Sequence, residues 1–274
     1  MKKFELISEF VTNVFGKKLF RIKALVSFGD VSAGELGGFV EKEENLSNNG
    51  NAWVSGNARV SGDARVSGDA RVSGDARVSG DALVSGNAQV SGNAQVSDNA
   101  WVSGNARVSG NAQVSDDAWV SGNALVSGNA QVSGDALVSG NAQVSDNARV
   151  SGDAWVSGNA QVSGDARVSG NARVSGNAQV SGDAWVSGNA QVSGDADFSV
   201  VTGFGRCFRA TTFFRCKDKI LRVQCGCFYG DLAKFREIVK KTHGDSKYAK
   251  EYLAIADLME LHFSDEEENQ EADK

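Results

Sequence analysis

The chain has 274 residues, no proline and a formal net charge of −6. Its apolar runs are too short to span a membrane, and the start Met1-Lys2-Lys3-Phe4-Glu5 lacks the apolar core of a signal peptide. All four cysteines lie between residues 207 and 227, which argues against a disulfide framework. We therefore exclude a membrane protein and expect a reduced, cytoplasmic protein.

Residues 1–50 predict a β-rich cap. Apolar residues alternate with polar ones on both sides of a turn at Gly16-Lys17, namely Phe4, Leu6, Phe20, Ile22 and Ala24. This alternation is typical of a β-hairpin, because successive side chains of a strand point to opposite faces.

Three segments of this cap resemble the head of the YdcK-like group of bacterial and phage hexapeptide-repeat proteins. They are Arg21-Ile22-Lys23-Ala24-Leu25, residues 31–38 (Val-Ser-Ala-Gly-Glu-Leu-Gly-Gly) and Asn45-Leu46-Ser47. The resemblance implies a module that covers an open solenoid end, and it suggests a phage or prophage origin. Gly34 to Gly38 could also form a phosphate cradle, but no Lys-Ser/Thr pair or helix follows, which favours a capping turn.

The hexapeptide Ala-X-Val-Ser-Gly-Asn/Asp repeats from Trp53 to Phe198. Valine occupies every sixth position from Val54 to Val192, and Phe198 takes the next place. Ala and Val share one face of each short strand and point inward, whereas X and Ser point outward. Gly with Asn or Asp turns the chain, so three strands close a coil of about 18 residues.

The spacing of Val54 and Ala58, repeated along the tract, resembles that of the left-handed β-helix hexapeptide family. The predicted fold is therefore an all-β solenoid, a left-handed parallel β-helix with triangular coils of about 18 residues. We place the solenoid at residues 51–200, between a β-hairpin N-terminal cap (1–50) and a small α/β C-terminal cap (201–263). The hand of the helix comes from the resemblance alone.

The composition of the repeat argues against catalysis. Many left-handed β-helix proteins are acyltransferases with a catalytic histidine or carbonic anhydrases with three zinc-binding histidines. Residues 51–197 contain no His, Cys, Lys, Glu or Tyr, so we predict no catalytic residue, metal or cofactor there. A corner stack of Asp63, Asp81, Asp117, Asp135 and Asp153 could collect Ca²⁺, but solvated turn carboxylates are the favoured interpretation.

An apolar strip appears when the X positions are sorted into coils of 18 residues. The third column reads Arg65, Leu83, Trp101, Trp119, Leu137, Trp155, Arg173 and Gln191. We name Leu83, Trp101, Trp119, Leu137 and Trp155 the Trp/Leu strip. It predicts a protein interface; the alternative is a ladder of stacked side chains that stabilises only the rod. Two rods could pair isologously about Trp119, with Trp101 opposite Leu137 and Leu83 opposite Trp155.

The C-terminal cap is predicted to hold a hairpin and two helices. Phe208 to Cys216 and Ile220 to Phe228 form the hairpin around a turn at residues 217–219. The helices run from Leu232 to Thr242, with Leu232, Phe235, Ile238 and Val239 as its apolar face, and from Lys247 to Phe263, with Tyr248, Tyr252, Ile255 and Met259 as its stripe. We expect both helices to dock on the open end of the solenoid and the acidic tail 264–274 to be disordered.

Cys207, Cys216, Cys225, Cys227 and His243 suggest a zinc site, but their spacing fits no common pattern, and buried thiols are favoured. Residues 198–263 contain twelve basic and seven acidic residues, and this excess of positive charge could bind nucleic acid. No recognition motif accompanies it, so a nucleic-acid partner is not expected.

The sequence thus predicts a non-enzymatic binding or assembly protein of phage or prophage origin. It would self-associate as a homo-oligomer, or bind a host protein, through the Trp/Leu strip. Two alternatives remain open: an acetyltransferase-like enzyme with its site in the caps, and a scaffold that stacks end to end into filaments.

Overall fold

A computed structural model describes residues 2–194, 197–216 and 218–264. Most of the predicted acidic tail, from residue 265 onward, and Lys217 of the predicted turn lie outside the described residues. Among the described residues, neither helix combines the length and the apolar character that crossing a membrane would require.

The N-terminal hairpin is confirmed. Strand β1 (Phe4–Thr12) pairs antiparallel with β2 (Lys18–Ala24). The Asn13 side-chain oxygen accepts hydrogen bonds from the backbone N–H groups of Phe15 and Lys17, which fixes the turn between them.

Strand β3 (Leu36–Val40) connects the hairpin to the solenoid. It pairs antiparallel with β2 and parallel with the first strand of one solenoid face, and a short 3₁₀ helix (Glu43–Asn45) follows it. A Cβ on Gly37 would lie 2.4 Å from the Ile22 side chain, and one on Gly38 would lie 2.6 Å from the Ala58 carbonyl oxygen. These glycines therefore allow β3 to pack directly on the first coil.

The solenoid has three flat faces, each made of eight two-residue strands that pair in parallel. Face 1 contains β4 (Trp53–Val54), β7 (Arg71–Val72), β10 (Gln89–Val90), β13 (Arg107–Val108), β16 (Leu125–Val126), β19 (Gln143–Val144), β22 (Gln161–Val162) and β25 (Gln179–Val180). Face 2 contains β5 (Arg59–Val60), β8 (Arg77–Val78), β11 (Gln95–Val96), β14 (Gln113–Val114), β17 (Gln131–Val132), β20 (Arg149–Val150), β23 (Arg167–Val168) and β26 (Trp185–Val186). Face 3 contains β6 (Arg65–Val66), β9 (Leu83–Val84), β12 (Trp101–Val102), β15 (Trp119–Val120), β18 (Leu137–Val138), β21 (Trp155–Val156), β24 (Arg173–Val174) and β27 (Gln191–Val192).

The 18-residue coil is confirmed by the register. Trp101 pairs with Trp119, which pairs with Leu137, and the valines beside them pair in the same way. The Trp119 N–H donates to the Ala136 carbonyl one coil further on, at 2.9 Å. The repeat alanines and valines from Ala52 to Ala190 are fully buried. Because each coil contacts only its neighbours, the rod is stabilised by the stack and not by any single repeat.

Glycine turns the chain at most corners, and aspartate replaces it at three. Gly122 has a φ of +67°, and a Cβ there would lie 2.9 Å from the Gly140 nitrogen in the next coil. Asp116 adopts the same left-handed conformation, with a φ of +59°. Its carboxylate accepts a hydrogen bond from the Gly134 N–H at 3.0 Å, and Asp146 does the same with Gly164 at 3.1 Å. Asp116 and Asp146 thus offset the strain of this conformation with a bond to the next coil, whereas the Asp98 carboxylate accepts a hydrogen bond from the neighbouring Ser97 hydroxyl.

This arrangement predicts unequal effects at position 116. Asp116→Ala keeps a Cβ in the left-handed region but loses the acceptor, so we expect the free energy of unfolding to fall by about 1–2 kcal/mol. Asp116→Gly loses the same bond but removes the strain, and should change stability by less than about 0.5 kcal/mol. Urea unfolding of both variants measures the difference, and equal losses would contradict the strain argument.

The C-terminal cap is an antiparallel sheet of four strands with two helices. Strands β28 (Phe198–Val201), β29 (Thr211–Arg215), β30 (Leu221–Cys225) and β31 (Phe228–Asp231) pair in chain order. The predicted hairpin is the centre of this sheet, and the sequence interpretation missed both outer strands. Phe198 was wrongly placed in the repeat, because it pairs antiparallel with Phe214 and does not continue a solenoid face.

Helices α1 (Leu232–His243) and α2 (Lys247–His262) lie where the sequence predicted them. The Asp231 carboxylate accepts a hydrogen bond from the Lys234 N–H and caps α1. The predicted apolar faces were too wide, since Ile238 and Tyr248 are 41% and 38% exposed.

The prediction that the helices dock on the solenoid is wrong, because the sheet lies between them. Neighbouring side chains of β29 point to opposite sides: Phe214 is buried in the solenoid core, whereas Phe213 is buried against the helices. The Thr212 hydroxyl accepts a hydrogen bond from the Trp185 N–H at 3.0 Å. Without a cap, the last coil would expose unpaired backbone N–H and C=O groups. A strand with polar side chains can form hydrogen bonds with these groups better than a helix face can.

Candidate protein-binding surface

Face 3 brings the five residues of the Trp/Leu strip together. They occupy five consecutive strands, β9, β12, β15, β18 and β21, without an interruption. Arg65 and Arg173 hold the next places at the two ends. At the spacing of paired strands, the strip is about 19 Å long.

The indole rings stack but remain partly open to solvent. The Trp101 and Trp119 rings are parallel within 3°, with centroids 4.8 Å apart. Trp101, Trp119 and Trp155 are still 39%, 41% and 40% exposed, Leu83 is 37% exposed, and Leu137 is half-buried. The strip therefore presents an apolar patch on the order of 400 Å².

Each indole N–H of the strip is satisfied within the rod. The Nε1 atoms of Trp101 and Trp119 donate to the Ser85 and Ser103 hydroxyls at 3.2 and 3.1 Å, and that of Trp155 donates to Ser139 at 3.4 Å. What faces outward is consequently apolar ring surface. These hydrogen bonds also stabilise the rod, as the ladder interpretation expects. The same residues can therefore stack within the rod and present an apolar surface to a partner.

The two ends of the strip are polar. The Arg173 guanidinium lies over the Trp155 ring, 5.2 Å from its centroid. At the other end, Leu83 and Arg65 border a surface groove of about 700 Å³ that is also lined by Glu43 and Glu44. A partner on the strip would thus meet charged groups at both ends.

The two long edges of face 3 differ in charge. The corner that comes just before each strand of face 3 in the chain carries six exposed carboxylates, and we name it the acidic edge: Asp81, Asp98, Asp116, Asp117, Asp135 and Asp153. None of these six forms an ion pair within the described part of the chain. Asp63, at the start of the same corner, is bridged by Lys42. No group of three or more His, Cys, Asp or Glu side chains in the described residues could hold a metal ion, so the Ca²⁺ interpretation gains no support.

The opposite edge is neutral. The corner that comes just after each strand of face 3 in the chain carries six asparagines, and we name it the amide edge: Asn87, Asn105, Asn123, Asn141, Asn159 and Asn177. The side-chain nitrogens of the first five donate to the oxygen of the next amide at 2.9–3.1 Å. Since an amide has two N–H groups, each donor keeps a second one for solvent or a partner.

The other two tryptophans at X positions serve the caps. Trp53 holds an X position, which the repeat pattern points outward, but it is only 1% exposed and packs edge-on against Phe28 at 5.5 Å. Its indole nitrogen has no hydrogen-bond partner in the described residues. Trp185 is half-buried at the other end and donates to Ser169 at 3.2 Å. Their positions in the first and last coils explain why these tryptophans are covered.

A second exposed apolar pair was missed from the sequence. Val14 and Phe15, at the tip of the N-terminal hairpin, are 86% and 84% exposed. The signal was available, because these two large apolar residues directly precede the predicted turn at Gly16-Lys17.

The C-terminal thiols are only partly buried. Cys216 is buried, which raises the pKa of its thiol, whereas Cys207 and Cys227 are exposed, so the expectation of four buried thiols was wrong. Cys207, Cys225 and Cys227 border a cavity of about 250 Å³ together with His243 and Tyr252. Burial raises the pKa of Tyr252 to about 12. The four cysteines are free, and the described residues contain no metal-binding group among them.

Comparison with known proteins identifies the repeat. A family model described as "YdcK Beta solenoid repeat" matches overlapping stretches that together cover just over half of the chain. The stretches are 52–68, 64–78, 76–92, 88–104, 94–110, 100–116, 112–128, 118–132, 130–142, 142–158, 160–176, 166–182 and 178–194. No curated protein matches the chain.

Proposed function

We propose that the chain, which belongs to the YdcK β-solenoid repeat family, is a non-enzymatic protein that assembles with other subunits through the Trp/Leu strip. The observation that carries the proposal is the unbroken run of five apolar side chains on face 3, with three indoles about two-fifths exposed. Partly exposed tryptophans clustered on a rigid surface are typical of interface hot spots.

Self-association is the form of assembly that the strip supports best. A flat, straight face is self-complementary, and closed homodimers are the commonest soluble assemblies. Two strips would bury about 800 Å² in total, so the contact falls in the class of weak, reversible interfaces unless the neighbouring edges contribute. We therefore expect association in the micromolar range. A phage or prophage origin, with a host protein as the partner, remains the alternative for the same surface.

The two other functions considered from the sequence receive less support. End-to-end filaments require free coils, but β3 and the 3₁₀ helix cover one end of the rod and the β28–β31 sheet covers the other. The chain has two histidines, His243 and His262, which leaves a site in the caps few side chains that ordinarily titrate near neutral pH. Calorimetry with acetyl-CoA tests that alternative directly.

The test is the mass of the particle by light scattering after gel filtration. Trp119→Arg would place a guanidinium at the centre of the strip, where two copies meet, and its desolvation would oppose association. We expect dimers for the wild type at concentrations near 100 µM and a folded monomer for the variant.

Gln113→Arg is the matched control, because Gln113 occupies the exposed X position of face 2 in the same coil. It should leave the dimer intact. A wild type that stays monomeric across this range would refute self-association and leave a foreign partner for the strip.

A further inference from the structure

We infer that two copies pair through face 3 in parallel, with both N-terminal caps at the same end. The inference rests on the proposed self-association and adds the orientation of the partner. Two independent features carry it: the unequal charge of the long edges of face 3, and the position of the strip on that face.

When two rods are aligned, a two-fold axis can pair their flat faces in two ways. An axis along the rod gives parallel rods and places the left edge of one face over the right edge of the other. An axis across the rod gives antiparallel rods and places each edge over its own copy. The choice therefore depends on whether the two edges of the face are alike.

The charges favour the parallel arrangement. An antiparallel dimer would place the six carboxylates of the acidic edge over the same six carboxylates of the partner, at about the 10 Å separation of packed sheets. This distance is slightly longer than the Debye length of about 8 Å at physiological salt, so salt weakens the repulsion without abolishing it, and the repulsion grows at lower salt. A parallel dimer instead places each acidic edge over the partner's amide edge, whose free N–H groups can donate to carboxylates.

The shapes favour the same arrangement. Along each strand of face 3 the two outward positions are X and Ser, such as Trp119 and Ser121, and they lie about 6.6 Å apart. When the faces are centred, the parallel axis places the strip of one copy over the serine column of the other. Trp119 and Trp155 then lie over Ser121 and Ser157, the two serines beside the strip that accept no hydrogen bond from its indoles, so that large side chains meet small ones there. The antiparallel axis places the strip of one copy over the strip of the other, with Trp119 over its own copy and Trp101 over Leu137, and serine over serine. Large side chains then meet large ones beside a gap between the serine columns. The parallel pairing thus replaces the antiparallel pairing about Trp119 that the sequence suggested.

Cross-linking distinguishes the two orientations. In a background with Cys207→Ser and Cys227→Ser, which removes the two exposed thiols, Leu83→Cys would place its two copies about 12 Å apart in a parallel dimer and more than about 20 Å apart in an antiparallel one. Ser121→Cys lies in the serine column beside the centre of the strip, and its copies come within about 12 Å in both orientations. A bis-maleimide with a spacer of this length is the probe.

We expect light scattering to report a dimer and both cysteine variants to form the cross-linked dimer, while the background without an added cysteine does not. A dimer in which Ser121→Cys cross-links and Leu83→Cys does not would overturn the parallel orientation but leave the proposed assembly standing. A monomer by light scattering, with neither variant cross-linking, would overturn both.

A charge variant tests the same orientation without altering the strip. Asp117→Asn combined with Asp135→Asn removes two carboxylates from the acidic edge. In a parallel dimer the dissociation constant should stay the same or rise, because carboxylate–amide contacts are lost. A dissociation constant that falls by threefold or more would show that like charges had faced each other, and would overturn the inference.

Discussion

Val120→Asp should unfold much of the rod at neutral pH. Val120 is fully buried and stacks between Val102 and Val138 in the middle of face 3. A carboxylate there would be surrounded by apolar side chains and would find no counter-ion. Removing an uncompensated charge from water costs about 3–5 kcal/mol or more, which is a large fraction of the 5–15 kcal/mol that stabilises an ordinary domain.

The loss should depend on pH in a defined direction. Burial raises the pKa of the introduced Asp above its unfolded value near 4. The folded state then holds a proton that the unfolded state releases, so stability falls as pH rises from about 4 through the folded-state pKa. We expect urea unfolding of Val120→Asp to show a smaller deficit against the wild type at pH 4 than at pH 7.

Gln113→Asp is the control, because Gln113 is the exposed X residue of the same coil. It introduces the same side chain into the same type of strand, on the solvent side, and should change stability by less than about 0.5 kcal/mol. Similar losses for both variants would indicate that the poor strand propensity of aspartate, and not burial of its charge, controls the stability of the rod.

The solenoid could be predicted in detail because its repeat specifies structure locally. A valine every six residues, a left-handed turn residue and a fixed strand length leave one register in which all the valines face inward. The three columns of X residues follow from arithmetic once the coil has 18 residues. The position of Trp119 beside Trp101 and Leu137 could therefore be stated before any coordinates.

The caps could be predicted only in part, because their contacts join residues that are distant in sequence. The burial of Trp53 depends on Phe28, and the burial of Phe214 depends on the last coil of the solenoid. Nothing in the hexapeptide around Trp53 distinguishes it from the exposed Trp101. Strand β28 was missed for a related reason, since Phe198 continues the repeat spacing but pairs with Phe214.

The charge of the corners shows a further limit of sequence reasoning. The 18-residue coil predicted that Asp63, Asp81, Asp117, Asp135 and Asp153 stack in one corner, but the acidic and amide edges were not recognised as the two borders of the strip. Their difference becomes meaningful only when the stack places Asp117 and Asp135 on one side of the strip and Asn123 and Asn141 on the other. An edge is a property of the assembled rod and not of any single repeat.

Removal of the C-terminal cap should convert the rod into a discrete tail-to-tail dimer. Truncation after Gly194 would expose the last strands of all three faces. It would also expose the Trp185 N–H group, which now donates a hydrogen bond to the Thr212 hydroxyl. Exposed strand edges pair with other edges. The other end of the rod is still covered by β3 and the 3₁₀ helix, so an exposed end can meet only another exposed end, and growth stops at two copies.

A rod without either cap, residues 51–194, should behave differently. Both of its ends offer strand edges, each added copy exposes a new one, and nothing limits growth, so we expect fibres whose amount rises with concentration. Both truncations should carry Trp119→Arg to remove association through the strip. Small-angle X-ray scattering would then report a particle about twice the length of one rod for the first and no finite length for the second. Fibres from the first truncation would mean that the N-terminal cap does not block its end, whereas monomers from both would mean that the caps stabilise the terminal coils and do not prevent growth.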